Sequence, residues 1–176
     1  MTAVVTLRPA RAGDAEAVCT IYNQGIEDRV ATLEIELRTP EERREWMAAR
    51  GPHHPVIAAE SEGILVGWGS LNVFNPRPAY KHVADFSVYV ERAWRGKGVG
   101  HRLLERLIEI AREIGYHKMV LSTFPTGGGR APLRAPGLQP RRRLPRAGYA
   151  RRPVGGHAHH GEAALVPARA RARART

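Results

Sequence analysis

The stretch from Lys81 to Gly115 constrains the fold more than any other part of the chain. Alternation from Lys81 to Val90 predicts a long strand, with Val83, Asp85, Ser87 and Tyr89 on one face and Ala84, Phe86, Val88 and Val90 on the other. A short link containing Trp94 leads to Arg95-Gly96-Lys97-Gly98-Val99-Gly100, and then to a helical stripe of Leu103, Leu104, Leu107, Ile108, Ala111 and Ile114 that Gly115 stops. A glycine-rich turn between a strand and a helix exposes backbone N–H groups at the positive end of the helix dipole, which suits a pyrophosphate. No Gly-Lys-Ser/Thr ends the turn as in a P-loop, and no third glycine stands at the spacing of a dinucleotide-binding fold.

The flanking elements are legible as well. Val4 to Leu7 reads as a short strand, and Asp14 as the cap of a helix with Val18, Ile21, Tyr22 and Ile26 at helical spacing. Thr39, Pro40 and Glu42 supply a cap hydroxyl, a first-position proline and a capping-box carboxylate for a helix through about Ala49. Val56 to Ala59 and Ile64 to Val73 are strand-like runs around Ser61-Glu62-Gly63, a hairpin and the start of a meander. Lys118 to Phe124 is the next strand.

Composition matters chiefly through where it changes. The 176 residues suffice for one domain, and the net charge of +11 at first suggests a nucleic acid or an acidic surface as partner. Of the 28 Lys and Arg, however, 12 follow residue 126 with only Glu162 of the 17 acids, so the body is balanced at 16 of each. Arg, Ala, Gly and Pro make up 37 of the last 50 residues, with no period that survives the prolines. The expected organisation is a domain over residues 1–125 and an Arg/Ala/Gly/Pro-rich tail over 126–176 that does not fold alone. No apolar run approaches the roughly 18 to 20 residues of a membrane helix, and no export signal is read in Met1 to Arg8, so a cytoplasmic location and no membrane partner are expected. The single Cys19 excludes an internal disulfide and reads as helix core.

The strand ending Ser87-Val88-Tyr89-Val90 and the Arg-x-x-Gly-x-Gly turn resemble the GNAT superfamily of acetyl-CoA-dependent N-acetyltransferases over residues 4 to 125. Ile21-Tyr22-Asn23, Glu45-Trp46, Arg77-Pro78-Ala79-Tyr80 and Asp85-x-Ser87-Val88-Tyr89-Val90 look like its phosphinothricin N-acetyltransferase branch, which includes arsinothricin-resistance enzymes. The resemblance implies an α+β fold, with a mixed, mostly antiparallel sheet flanked by helices. It also implies acetyl transfer from acetyl-CoA to the amine of a small amino-acid-like substrate, with no metal. By the same resemblance, Val88, Tyr89 and Val90 offer backbone groups to the pantetheine arm and thioester carbonyl. Arg95, Gly96, Lys97, Gly98, Val99 and Gly100 hold the pyrophosphate, and a homodimer is a common state of the family. Asp85 stands where the branch carries a glutamate regarded as general base. A free aspartate ionises near pH 3.9, roughly, so a shorter acid here needs burial or a relaying water to take a proton from an ammonium group. Arg77 and Tyr80, on the preceding loop, are candidates for the acidic end of the substrate. His82 and His117 match no motif position and read as structural.

The family's last helix, with Leu-Tyr-x-x-Leu-Gly-Phe, and its final strands have no counterpart in the tail. Back-translation of Pro132 to Gln139 from the second base of each codon permits Leu-Tyr-Glu-Arg-Leu-Gly-Phe. The same phase over Leu144 to Gly156 and His159 to Ala163 permits further family-like segments in order. The expectation is a frameshift between about Phe124 and Arg130, with the last helix and strands missing, the edge of the fifth strand bare and activity impaired. Two alternatives stay open: a nucleic-acid-binding protein whose Arg-rich tail, with its Ala-Arg alternation from Ala168 to Arg175, is genuine, and a protein that binds CoA without catalysis. A metal site at His157, His159 and His160 is a further, weaker reading.

Overall fold

The computed structural model describes residues 4–29, 32 and 34–123, together with two strand segments at 139–140 and 162–167. Strands β1 (Thr6–Pro9), β2 (Val56–Ser61), β3 (Ile64–Val73) and β4 (Val83–Val90) form an antiparallel meander. Strand β5 (Lys118–Thr123) joins β4 in parallel after the crossover helix α3 (Val99–Ile114). Helices α1 (Ala15–Glu27) and α2 (Pro40–Ala48) lie between β1 and β2 in sequence. This is the mixed, mostly antiparallel α+β sheet expected from the sequence.

Local chemistry explains the boundaries. The Oγ1 of Thr39 accepts from the Glu42 N–H at 3.2 Å, while the Glu42 carboxylate accepts from the Thr39 N–H at 2.7 Å, the reciprocal capping box that starts α2. Glu62 and Gly63 join β2 to β3 with φ of +51° and +77°, the two positive values that a tight hairpin turn matching strand twist requires. At α1 the structure differs from expectation. Asp14 occupies the cap position, but its side chain does not cap the helix. It accepts from the Arg11 N–H at 2.6 Å and pairs with Arg8 at 2.7 Å, because a guanidinium from β1 offers the stronger, charge-assisted partner. Strand β1 begins two residues later than expected, with Val4 exposed and Val5 buried beneath the sheet edge.

Two apolar layers cover the sheet. Leu103, Leu104 and Leu107 of α3 pack with Leu71, Phe86 and Met119 on one face, whereas Val18, Ile21 and Tyr22 of α1 pack with Ala58 and Trp68 on the other. Close approach of α3 depends on bare backbone in β3. A Cβ on Gly69 would stand 2.9 Å from the Leu107 Cδ1 and 3.2 Å from the Ser87 carbonyl. Cys19 is buried on α1, as expected.

Strands β4 and β5 pair only from Val83↔Lys118 to Asp85↔Val120. Beyond Asp85 the two diverge, which leaves one edge of Phe86 to Val90 without a strand partner among the described residues. On its far side β5 carries β7 (Glu162–Pro167), antiparallel from Lys118↔Pro167 to Thr123↔Glu162, and β6 (Gln139–Pro140) pairs with β7. The expectation of a bare β5 edge is therefore corrected. Strand pairing needs backbone groups and an extended run rather than particular side chains, and Glu162-Ala-Ala-Leu-Val supplies a proline-free one. The sites of the expected family helix, of His157, His159 and His160, and of most of the Arg-rich tail lie outside the described residues.

Candidate active site

Three features converge on β4. The first is the turn into α3. Gly96 and Gly98 have φ of +77° and +83°, a region that side-chain-bearing residues rarely enter. Gly98 is the cap residue of α3 and has no side chain with which to cap it. The first backbone bond of the helix runs from the Arg102 N–H to the Gly98 carbonyl at 3.2 Å. The N–H groups of Val99, Gly100 and His101 are therefore left at the positive end of a 16-residue helix with no acid in its first turn. This cradle fits the pyrophosphate of a coenzyme A thioester, and the backbone rather than the side chains forms it. Val99 is 2% exposed and belongs to the core, and the Lys97 Nζ lies 5.1 Å from the Trp94 ring centroid, on the surface.

The Arg95 side chain braces this turn from outside. Its Nε donates to the Val90 carbonyl at 3.1 Å and its guanidinium pairs with Asp28 just beyond α1. Arg92 joins the same acid at 2.8 Å and Glu27 at 3.0 Å, and the Arg92 N–H donates to Gln24 at 2.8 Å. Hydrogen bonds from Arg92 and Arg95 hold the Asp28 carboxyl below the usual carboxylate range. Together these contacts tie the glycine-rich turn to α1, so its conformation is braced by charges from another element.

The second feature is the open edge of β4 beyond Asp85, carried by Val88, Tyr89 and Val90. The third is a cavity of about 360 Å³ on the α1/α2 face of the sheet, within the range of small-molecule pockets. Aromatic side chains line it: the Tyr89 ring stacks on Trp68 at 4.7 Å, Tyr22 approaches Tyr89 at 5.0 Å, and Trp46 meets Trp68 edge-on at 5.7 Å. Burial pushes the Tyr89 phenol above its ordinary value, so it stays neutral. Charged residues complete the wall. Arg38 pairs with Glu34 at 2.8 Å and with Glu42 at 3.5 Å, while Arg43 lies with its guanidinium 3.6 Å from the Tyr22 ring centroid.

Asn72 and Ser87 line the cavity on the sheet side. The Oδ1 of Asn72 accepts from Arg50 at 2.9 Å and from Ser70 at 3.0 Å. Arg50 can only donate, so the amide is oriented with its Nδ2 toward Ser87 at 3.1 Å and toward the Asp85 carboxylate at 3.4 Å. Asp85 faces Asn72 across the β3–β4 ladder and shares the strand face of Ser87 and Tyr89. It thus stands one step past the cavity wall, where β4 and β5 part.

The sequence-predicted residues separate accordingly. Asp85, Val88, Tyr89 and Val90 occupy one strand beside the glycine-rich turn. Arg77 and Tyr80 lie on the loop before β4 and do not line the cavity; Arg77 is exposed, and Tyr80 is 38% exposed with its ring edge-on to Phe74 at 5.6 Å. His82 and His117 face each other at 5.1 Å and are exposed, away from the cavity. Sequence reasoning missed Arg43, Trp68 and Asn72 as site residues. The capping box of α2 set the helix phase, but nothing in Arg43-Arg44 distinguished the inward arginine from the outward one.

Comparison with known proteins agrees with this geometry. A model of the acetyltransferase (GNAT) family matches residues 20–131. YwnH of Bacillus subtilis (strain 168), named as a candidate phosphinothricin acetyltransferase, is 40% identical over 121 residues, covering 68% of this chain and 74% of its own. The L-methionine sulfoximine/L-methionine sulfone acetyltransferase of Salmonella typhimurium is 33% identical over 117 residues, covering 66% and 68%. Among solved structures, a GNAT superfamily phosphinothricin acetyltransferase from Sinorhizobium meliloti in complex with AcCoA superposes with a TM-score of 0.73 at 27% identity, covering 94% of this chain and 86% of that one. A glycine-rich helix start, a β4 edge that opens beyond Asp85 and a family match over these same residues lead to one conclusion: the chain belongs to the GNAT family of acetyltransferases.

Proposed function

We propose that this chain transfers the acetyl group of acetyl-CoA to the primary amine of a small amino-acid-like substrate of the phosphinothricin or methionine sulfoximine type. The observation that carries this reading is the placement of Asp85 where β4 and β5 part, between the aromatic cavity and the open strand edge that leads to the α3 cradle. The names of the Salmonella and Sinorhizobium proteins support the substrate class.

In this reading the N–H groups at the start of α3 and the turn from Arg95 to Gly100 hold the pyrophosphate, and backbone groups of Val88, Tyr89 and Val90 align the pantetheine arm. Acetyl-CoA supplies the acetyl thioester, whose C–S bond breaks as the amine nitrogen forms the new N–C bond, and a proton goes to the departing thiolate. Asp85, held by the Asn72 amide, positions the incoming ammonium and accepts its surplus proton, directly or through a water, so that a neutral amine attacks. Arg77 and Tyr80, on the loop before β4 and outside the cavity lining, offer an outer contact for the acidic end of the substrate.

The assay is release of free thiol from acetyl-CoA with phosphinothricin or L-methionine sulfoximine as acceptor. Amine-dependent release that falls at least tenfold in kcat for Asp85→Asn is the expected result. Thermal stabilisation by CoA with no amine-dependent release in the 176-residue chain would instead identify a protein that binds the coenzyme without catalysis.

A further inference from the structure

We infer that Arg43, assisted by the indole N–H of Trp68, is the carboxylate anchor of the substrate, so that the cavity selects amino acids with a free α-carboxylate over their amides. The inference rests on the amino-acid-like substrate proposed above and adds the residue that recognises it.

Two orphaned donors carry the argument. Arg43 is only 8% exposed and Trp68 1%, and among the described residues neither the Arg43 Nε nor the Trp68 Nε1 has a hydrogen-bond partner. Both residues line the same cavity. A buried donor without an acceptor is costly, and a charged one more so, so two of them in one wall mark a place that an acceptor-rich group fills. The cavity is about 360 Å³, far more than the roughly 30 Å³ share of one bridging water.

The surroundings select the kind of acceptor. The guanidinium lies 3.6 Å from the Tyr22 ring centroid and 5.3 Å from that of Trp46. Stacking of this kind uses the face of the guanidinium and leaves its edge for in-plane donors, the fork that a planar carboxylate accepts. The nearby acids are engaged elsewhere: Glu34 and Glu42 both pair with Arg38, and among the described residues no carboxylate forms an ion pair with Arg43. Burial alone would push the Glu34 carboxyl up, yet hydrogen bonds from Arg38 and Tyr22 hold it below its usual range, so it remains an anion. Two acids against two arginines give a wall of zero net charge, which suits a zwitterion whose single carboxylate completes Arg43. Arg77, exposed on its loop, has no comparable desolvation to strengthen such a bond.

The test uses the full chain without acetyl-CoA and reads quenching of intrinsic fluorescence, since Trp46 and Trp68 are two of the three tryptophans. The ligands are L-methionine sulfone and its α-carboxamide. The wild type is expected to bind the acid tighter than the amide by on the order of tenfold or more, as a charge-assisted bond implies. Arg43→Gln is expected to bring the ratio close to one, whereas Arg44→Gln, the same charge change on the outer face of α2, leaves it at the wild-type value. Trp68→Phe keeps an aromatic ring, though a smaller one, and removes the donor, and should lower the ratio partway. Should Arg43→Gln melt too low to assay, Arg43→Lys replaces it, with a reduced ratio expected because the fork is lost. A wild type that does not distinguish acid from amide, or a full ratio in both the Arg43 and Trp68 variants, overturns the inference, as does loss of the ratio in Arg77→Gln alone. Failure of acetyl transfer in the thiol assay would sink the enzymatic reading while leaving this binding ratio measurable.

Discussion

Replacement of Gly98 by alanine tests whether the backbone of the α3 turn forms the coenzyme cradle. At φ +83°, with no heavy atom of the described residues within 4 Å of an added Cβ, the substitution meets no steric clash among them, so its cost is conformational. A non-glycine residue in the left-handed region costs about 1–2 kcal/mol. For a chain of this size that lowers the melting temperature by roughly 2–8 °C if the turn holds its shape. If the substituted residue relaxes to negative φ instead, the stability loss shrinks, but the N–H groups of Val99 and Gly100 rotate out of convergence. The relaxed turn loses the cradle, and the strained one carries a methyl group on the open face from which a pyrophosphate would approach the backbone, so both weaken coenzyme binding. The assay is thermal melting with and without CoA at about 100 times the wild-type dissociation constant, where binding contributes about 2.7 kcal/mol of stabilisation. Gly98→Ala should lose most of the CoA-induced shift, and Gly98→Asn, which tolerates the left-handed region better, should keep more of it. Gly13→Ala, at a site with equally open space and no positive φ, should change neither quantity. A Gly98→Ala protein with wild-type melting and a full CoA shift would refute the backbone-cradle argument.

Three further outcomes follow from the contacts described. Asp28→Ala frees Arg92 and Arg95 from their brace, so KM for acetyl-CoA should rise severalfold with a smaller change in kcat; an unchanged KM would mean the turn holds its shape unaided. Thr39→Ala removes the cap acceptor of α2 and should cost about 1 kcal/mol by urea denaturation. The Asp14 carboxyl is held below its ordinary value mainly by the hydrogen bond from Arg8, so its contribution is fully present above the unfolded pKa, about 3.9, and is lost as pH falls through the lower folded value. The stability gap between wild type and Asp14→Asn should therefore close below about pH 4; a gap that stays constant across the acid range would show that the pair adds no pH-linked stability.

Local signals anticipated local structure well. Thr39-Pro40-x-Glu42 starts α2 where expected, Glu62-Gly63 turns the hairpin, and Gly115, at φ +96°, ends α3. Each of these outcomes depends on atoms within a few residues of one another, so tertiary context has little to override. Asp14 shows where such reasoning fails. As a cap it was plausible from its neighbours alone, but Arg8 on another element offered a charged partner, and the stronger interaction took the side chain. Strand β7 is the same lesson at larger scale. A tail whose composition discouraged any regular element still contributes one extended run to β5, because an open sheet edge asks only for backbone donors and acceptors.

The candidate site divides along the same line. The glycine-rich turn, the β4 strand and the placement of Asp85 on its polar face were determined by sequence alone, since backbone conformation and strand alternation are properties of consecutive residues. Only the tertiary structure decided which arginine enters the cavity. Arg43 and Arg44 are adjacent and chemically identical, but α2 packs on α1 and β3 with one side, so Arg43 is buried against Tyr22 and Trp46 while Arg44 pairs with Glu41 at the surface. The placement of Trp68 and Arg43 on one cavity, and the tie of Arg95 to Asp28, likewise join elements distant in sequence. Burial and pairing belong to the packed arrangement of helices and sheet, and no reading of neighbours along the chain contains them.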